Sequence, residues 1–466
     1  MGTTVVYTKL GKHKGKKRLW LEGERLARAG VEPGQRFELS VVERSGKAGK
    51  GVLLRFASTG SRKVSRRLRG GQELPVIDVL AGDLIRAFGD VDRVRVVIRP
   101  GSIEVTVHHQ ERATAERTIR LLDRLQEAAP LLMGSIAHGG GVLDHALHHG
   151  LERAGIPVEL AFANEVEGDY LEASIANNPI WNDRAIAIEA PMQDVEWRKL
   201  PAVDILAAGL PCTGASLSGR AKNRLARAEE HETAGPLFVA FIAAIQVLRP
   251  SVVVLENVPQ YGATASMTVI RSVLRSLDYE LHETVLDGHQ LGALERRNRY
   301  CLVATNRELP FSFEGLQAIK EREPRVADVL DDVPLEDPRW RDYSYLAAKE
   351  TRDRASGKGF RRQLLDGSED GLGTIGRGYA KARSTEPFIR HPSEPGKSRL
   401  LTPAEHARVK GVPESLIARL SATRAHEILG QSVTHSAFEA VGMRLGQALA
   451  ALRDCCAQRP AQPIAA

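Results

Sequence analysis

From Leu131 onward the sequence alternates short apolar runs with helical patterns, and no other feature restricts the fold as much. Val203-Asp-Ile-Leu-Ala-Ala208 is an apolar run that ends in Gly209-Leu210-Pro211-Cys212. Leu237, Phe238, Phe241, Ile242, Ile245 and Leu248 follow at helical spacing, and Ser251-Val-Val-Val-Leu255 then leads to Glu256-Asn257-Val258. A strand–helix–strand unit of this kind sets its two strands parallel. The predicted fold class is therefore α/β with a mainly parallel sheet. In such sheets the carboxyl ends of the strands face the ligand crevice, so a thiol and a carboxylate leave two strands at one edge.

Ahead of this region the pattern differs. Phe37–Val42, Val52–Phe56, Val94–Ile98 and Ile103–Val107 are rich in β-branched residues or alternate in polarity, with Gly/Pro turns between them, so residues 1–112 read as a β-rich domain. Residues 1–110 hold 22 Lys/Arg against 11 Asp/Glu, whereas the whole chain carries only +7. The excess includes Lys12, Lys14, Lys16, Lys17 and Arg18, then Arg62, Lys63, Arg66, Arg67 and Arg69. Such clusters can neutralise phosphates without reading sequence; the alternative is a solvated terminus and loop. Glu24–Gly30 and Gly82–Phe88 each lead into an extended run, and the two stretches look alike. They resemble AbrB-like and SymE-like swapped-hairpin modules, which bind nucleic acid, duplicated in one chain. The alternative is a small β-domain used for packing or dimerisation.

The further divisions expected are a linker helix within 113–130, with Ile119, Leu122 and Leu125 on one face, a catalytic core over 131–305, a target-recognition region over 306–398, the rest of the core over 399–456 and a tail over 457–466. No secretory signal or membrane-spanning stretch is evident. The four cysteines, Cys212, Cys301, Cys455 and Cys456, show no zinc spacing or disulfide framework. A reducing cytoplasm, no metal and a free thiol are the expectation.

Several motifs stand in one order. Gly209-Leu-Pro-Cys-Thr-Gly-Ala-Ser216 resembles the Pro-Cys motif of the DNA cytosine-5 methyltransferases, and Glu256-Asn-Val258 is similar to their Glu-Asn-Val. Ala163-Asn164-Glu165, Asp194-Val195, Glu295-Arg-Arg-Asn-Arg299, Leu401–Gly411 and Gly430-Gln-Ser-Val433 resemble further motifs of that family, over about residues 131–450. Seven ordered segments are more specific than any one.

The resemblance implies a Rossmann-like domain that binds S-adenosylmethionine and methylates carbon 5 of a cytosine flipped out of double-stranded DNA. That carbon is a poor nucleophile; a thiolate adding at carbon 6 activates it. Cys212 is the candidate for this role. Glu256 would protonate ring nitrogen 3 if burial raises its pKa, and Arg297 and Arg299 would hold the ring oxygen or a phosphate and favour the thiolate. For the cofactor the candidates are Ile136, Gly139, Gly140, Gly141, Glu165, Asp194, Pro211, Gln431 and Ser432. Glu165 would accept the ribose hydroxyls and Asp194 the adenine amino group. His138 is either a cofactor contact or a satisfied turn residue, and the second reading is preferred.

The departures from the family are Glu295 where glutamine is usual, Gln431 where asparagine is usual, Thr213-Gly214 after the cysteine, and Ile136 and His138 in the cofactor turn. The turn leaves a modified sulfonium donor open. Ser216, Arg220 and Lys222, with Arg224 and Arg227, lie in a loop to Gly235 that would close on nucleic acid, and Arg377 and Lys381 lie beside Thr374-Ile375 in the recognition region. A restriction-modification or self-protection setting, with a cognate nuclease as partner, follows from the resemblance. The alternatives are an RNA cytosine-5 methyltransferase and a non-enzymatic DNA-binding regulator.

Overall fold

The computed structural model describes residues 2–43, 50–80, 82–89, 91–211, 229, 231–232, 235–357 and 360–458. The chain divides after Arg120 into two compact units. Cys212, Ser216, Arg220 and Lys222 lie outside the described residues.

The first unit is built on antiparallel strands. A six-stranded sheet runs in the order Thr4–Lys9, Arg93–Arg99, Ser102–Val107, Lys50–Phe56, Arg36–Glu43 and Arg62–Lys63. A four-stranded sheet runs Gly11–His13, Lys16–Glu22, Gln72–Leu80 and Ser65–Arg69. The runs read as strands form strands, and Val52, Leu54, Val94, Val96, Ile98, Ile103 and Val105 are buried. Short helices, Glu24–Ala27 and Gly82–Phe88, cover the same core through Leu26, Leu84, Ala87 and Phe88. The helix His109–Gln126 begins earlier than expected and spans the division between the units. Its buried contacts to the second core are Leu121 and Leu125, while Leu122 is only partly buried. Arg124 fixes this end, with its Nε 3.1 Å from the buried Asp204 carboxylate.

The second unit holds the alternating strands and helices. In chain order they are β1 (Leu131–Ile136), α1 (Val142–Arg153), β2 (Val158–Glu165), α2 (Gly168–Asn177), β3 (Ile186–Glu189), β4 (Ile205–Gly209), α3 (Leu237–Leu248), β5 (Val252–Asn257), α4 (Ala265–Ser276), β6 (Tyr279–Asp287) and β7 (Asn298–Asn306). The sheet order is β3-β2-β1-β4-β5-β7-β6. Strands β1 to β5 pair in parallel, and β7 enters antiparallel between β5 and β6. The near-continuous apolar runs of β1, β4 and β5 are explained by helices on both faces. This is a Rossmann-like architecture, and its order reverses at β1/β4, where open α/β sheets open a crevice.

The last helix, α5 (His435–Gln458), lies along α1 at backbone contact distance. A Cβ at Gly442 would stand 2.5 Å from the carbonyl oxygen of Leu147, and one at Gly150 would stand 2.1 Å from that of Glu439. Only glycine permits that approach.

This interface buries histidines. His145 Nδ1 and His435 Nε2 are 2.8 Å apart, with His149 beside both and Glu439 2.9 Å from His149 Nδ1. Burial, reinforced by the neighbouring imidazoles, pushes His145 down to about 4 and His435 to about 3. Both rings are therefore neutral in the fold and protonate near 6.5 once exposed. Below that value the unfolded chain binds protons that the folded chain refuses, so stability is full above pH 6.5 and falls toward pH 4. Each ring costs up to about 1.4 kcal/mol per pH unit in that window. Denaturant midpoints should drop between pH 7.5 and pH 5, and by less in H145Q/H435Q; an equal drop in both would contradict this assignment.

Candidate active site

Parallel pairing brings the carboxyl ends of four strands to one edge. Ile136 pairs with Asn164 and with Ala208, and Gly209 pairs with Glu256. Glu165 ends β2 and pairs with Glu189. The residue types singled out at the ends of β1, β2, β4 and β5 are thereby gathered without any local sequence proximity.

Glu256 is the most constrained acid of the group. Its side chain is 13% exposed, and Arg299 Nε lies 2.8 Å from its Oε1. Burial pushes the carboxyl above its ordinary value; Arg299, Arg297 and Lys410 pull in the opposite direction without overcoming it. A Cβ placed on Gly209 would come within 3.5 Å of Glu256 Oε2, so the absent side chain leaves room beside the acid. The neighbouring Asn257 fixes the strand ends together: its Nδ2 donates to the carbonyl of Leu210 at 3.0 Å, and its Oδ1 accepts from the amide of Val258 at 2.8 Å. That clamp ties the end of β5 to the backbone just ahead of Pro211. Among the described cysteines, Cys301 pairs across the sheet with Glu256 but is fully buried, and burial pushes its thiol up. It has neither the exposure nor the thiolate character of a nucleophile.

The two arginines expected to act together are separated. In a continuous strand, residues 297 and 299 would point to one face. Here the amide of Arg297 donates to the carbonyl of Glu295 at 3.0 Å, and this tight turn interrupts the strand between Glu295–Arg296 and β7. Arg297 turns inward, 4% exposed, and donates to the carbonyls of Ile375 at 3.2 Å and Gly430 at 3.1 Å. Arg299 makes an ion pair with Glu256. The described bonds of Arg297 brace the segments around residues 375 and 430.

Glu295 sits at the centre of those braces. It is fully buried, and its Oε2 lies 2.7 Å from Nζ of the equally buried Lys410. Its Oε1 accepts from the amide of Ile375 at 2.8 Å and stands 3.4 Å from Arg297. Burial opposes the charge on Glu295, but Lys410 and Arg297 together hold its carboxyl below the usual range. Lys410 is in turn pushed down to about 7 by burial and by Arg297. Its Nζ also donates to the carbonyl of Ser432 at 3.3 Å. Four distant segments, around 295, 375, 410 and 430, therefore meet at one carboxylate. Lys410 is the functional neighbour that sequence reasoning missed. The signal was available in the substitution of glutamate for glutamine at 295, since a buried anion needs a cation.

At the cofactor end, Gly139 and Gly141 adopt φ of +57° and +75°. Nothing lies within 4 Å of where a Cβ of Gly139 would stand, so the β1–α1 turn keeps an open approach. Glu165 accepts from the amide of Gly139 at 2.6 Å and from those of Val166 and Glu167 at 2.9 and 3.0 Å. These bonds hold the carboxylate at the turn while leaving lone pairs for hydroxyl donors. The preferred reading of His138 agrees with its surroundings: the ring is buried between Ser135, Asp144 and Ser174 at 2.8–3.0 Å. Ile136 is likewise a core residue, 0% exposed, and can offer a ligand only its backbone. Asp194, Pro211 and Gln431 are exposed. The Ser432 hydroxyl donates to the carbonyl of Leu429 at 2.8 Å.

The recognition segment is stitched to the same strand. Leu372–Gly373 pairs with Glu295–Arg296, and Thr374 Oγ1 donates to the carbonyl of Arg296 at 2.9 Å. Lys381 is exposed. Arg377 is exposed too, but its guanidinium stands over Tyr170 and 3.8 Å from Glu167, beside the segment that follows Glu165. Among the described residues no cluster of His, Cys, Asp or Glu could hold a metal, and no helix is long and apolar enough to cross a membrane.

Comparison with known proteins places this arrangement. The family model for C-5 cytosine-specific DNA methylases matches residues 145–447, and the chain belongs to that family. It is a DNA cytosine-5 methyltransferase. Among its relatives, type II methyltransferase M.NlaX of Neisseria lactamica is 29% identical over 66% of this chain and 94% of its own length. Type II methyltransferase M.HhaI of Haemophilus parahaemolyticus is 27% identical over 56% of this chain and 81% of its own. The fold is similar to that of the Entamoeba histolytica methyltransferase EhMeth, at TM-score 0.53 and 16% identity, covering 68% of this chain and 98% of that one.

Proposed function

We propose that Cys212, Glu256 and Arg299 carry the reaction, with Arg297 as a positioning residue. The observation that carries this reading is a buried Glu256, its carboxyl pushed above the ordinary value by burial, set beside Gly209 and the strand end that leads into Cys212. The Cys212 thiolate adds to carbon 6 of an everted cytosine while Glu256 gives its proton to ring nitrogen 3, which leaves carbon 5 electron-rich. S-adenosylmethionine, when bound, supplies the electrophilic methyl group. Solvent water takes the carbon-5 proton, the electron pair left behind expels the thiolate, and the proton on nitrogen 3 returns to Glu256. Arg299 keeps the acid aimed at the ring.

The turn through Gly139, Gly140 and Gly141, with Glu165, has the chemistry for an adenosyl ligand: an open backbone approach at Gly139 and a carboxylate for ribose hydroxyls. Asp194, Pro211, Gln431 and Ser432, with the backbone of Ile136, complete the proposed pocket. Ser216, Arg220, Lys222, Arg377 and Lys381 are assigned to nucleic acid, and the basic first unit supplies further phosphate contacts to duplex DNA. The names of the type II relatives support a restriction-modification setting with a cognate nuclease, and a catalytic thiol suits a reducing cytoplasm. The test is transfer of a labelled methyl group from S-adenosylmethionine to duplex DNA and to structured RNA. Label in 5-methylcytosine of DNA alone, lost in Cys212→Ala, is expected; label confined to RNA, or retained by that variant, would refute the proposal.

A further inference from the structure

The first unit has an internal two-fold relationship that its sequence only hints at. Its elements repeat once: three strands, a short helix and two strands over residues 4–56, and the same series over residues 62–107. In the six-stranded sheet each half lends its first strand to the other. Thr4–Lys9 pairs with Arg93–Arg99 of the second half, and Arg62–Lys63 pairs with Arg36–Glu43 of the first. Both sheet orders consequently read the same from either end. At the centre of the four-stranded sheet Trp20 stands opposite Asp78, the middle pair of the register from Arg18↔Leu80 to Glu22↔Val76.

That register shows which residues correspond. Lys12 pairs with Lys17, three positions before Trp20, and Arg66 pairs with Pro75, three positions before Asp78, so Lys12 and Arg66 occupy equivalent sites. Lys9 faces Arg93 and Lys63 faces Arg36, and Arg36 and Arg93 each open the strand that follows the helix of their half. Lys9 and Lys63 are equivalent in turn. The halves differ in most residues, yet each of these equivalent pairs is a pair of cations. Lys9, Lys12, Lys63 and Arg66 are exposed. The outer face between the two hairpins carries Trp20, 40% exposed, with the Arg18 guanidinium 4.2 Å above its ring.

We infer that residues 1–120 read a two-fold-symmetric element of duplex DNA, an inverted repeat, as one chain that does the work of a dimer. The argument rests on the proposal above that this unit contacts DNA. Duplex phosphates are related by local two-fold axes, and a protein in which a subset of cations, Lys9 with Lys63 and Lys12 with Arg66, obeys the same symmetry meets both strands with one geometry at those positions. A single-stranded nucleic acid has no such axis to match. The residues that would read this word belong to the first unit and those around Glu256 to the second, so the two recognitions use different parts of the chain.

In vitro selection from a random duplex library, with the full chain and no methyl donor, tests this. An enriched inverted repeat is expected, with affinity lowered about equally by Lys12→Ala and Arg66→Ala. Each variant should also reduce the salt slope by about 0.9 for one lost phosphate contact. A symmetric word that is merely the methylation target is recognised by its indifference to both variants, and would overturn the inference if it were alone. Enriched words without a dyad, or unequal losses, would overturn the two-fold reading while leaving DNA contact by this unit intact. Unchanged affinity and slope in both variants would remove that contact as well.

Discussion

Glu256→Gln is expected to lower kcat for methyl transfer by about 10²–10⁴-fold, the span that a positioned general acid contributes. The amide matches the carboxyl in size, so the space beside Gly209 is kept. It cannot transfer a proton to ring nitrogen 3, and it leaves Arg299 facing a neutral group. The loss should fall on kcat more than on KM, because the proton matters only as the adduct forms. In the parent enzyme kcat should decline as pH rises through the elevated Glu256 pKa and the proton is lost. The variant should lack that limb. A variant with near-normal kcat, or one that retains the limb, would show that another group supplies the proton.

The second large effect concerns stability. Glu295→Gln leaves the buried Arg297 beside a neutral amide and removes the anion that supports the charge on Lys410, and breaking a buried pair typically costs about 3–5 kcal/mol. Lys410→Met alone should cost less, because Glu295 keeps Arg297 and the amide of Ile375. Changing both residues removes both charges together. The pair should therefore recover much of the loss from Glu295→Gln, with a coupling energy of about 1–3 kcal/mol in a double-mutant cycle of denaturant unfolding. Additive effects would mean that the two residues do not act as a unit. Because Glu295 joins the segments around 375, 410 and 430 to the strand that carries Arg299, a partial loss of activity should accompany the single change.

The sheet was largely legible because its signals are local. Apolar runs such as 203–208 and 251–255, and the helical spacing of Leu237 to Leu248, report burial directly. The strands of the first unit were equally plain, from Val52–Phe56 to Ile103–Val107. Glu256 and Gly209 could be placed at one edge from topology alone. The missed features depend on long-range contact or on a local break in regularity. Glutamate at 295 calls for a cation if it is buried, but nothing near it in the sequence says that the cation is Lys410. The tight turn at Arg297, which divides two arginines that strand alternation would have kept together, has no glycine or proline to announce it. The swapped strands of the first unit were legible only as a likeness between Glu24–Gly30 and Gly82–Phe88. Likeness reveals a repeat, whereas which half pairs with which is decided by register.

The central claim concerns a sulfur atom, and the most direct measurement captures it in a bond. A duplex carrying 5-fluorocytosine at the target blocks the final proton loss, so a thiolate that has added to carbon 6 stays attached once the methyl group has arrived. Incubation with S-adenosylmethionine, digestion and mass spectrometry should find the methylated nucleotide on the peptide containing Cys212, and no adduct with Cys212→Ala. An adduct on Cys301, Cys455 or Cys456, or methyl transfer with no covalent species at all, would contradict the account.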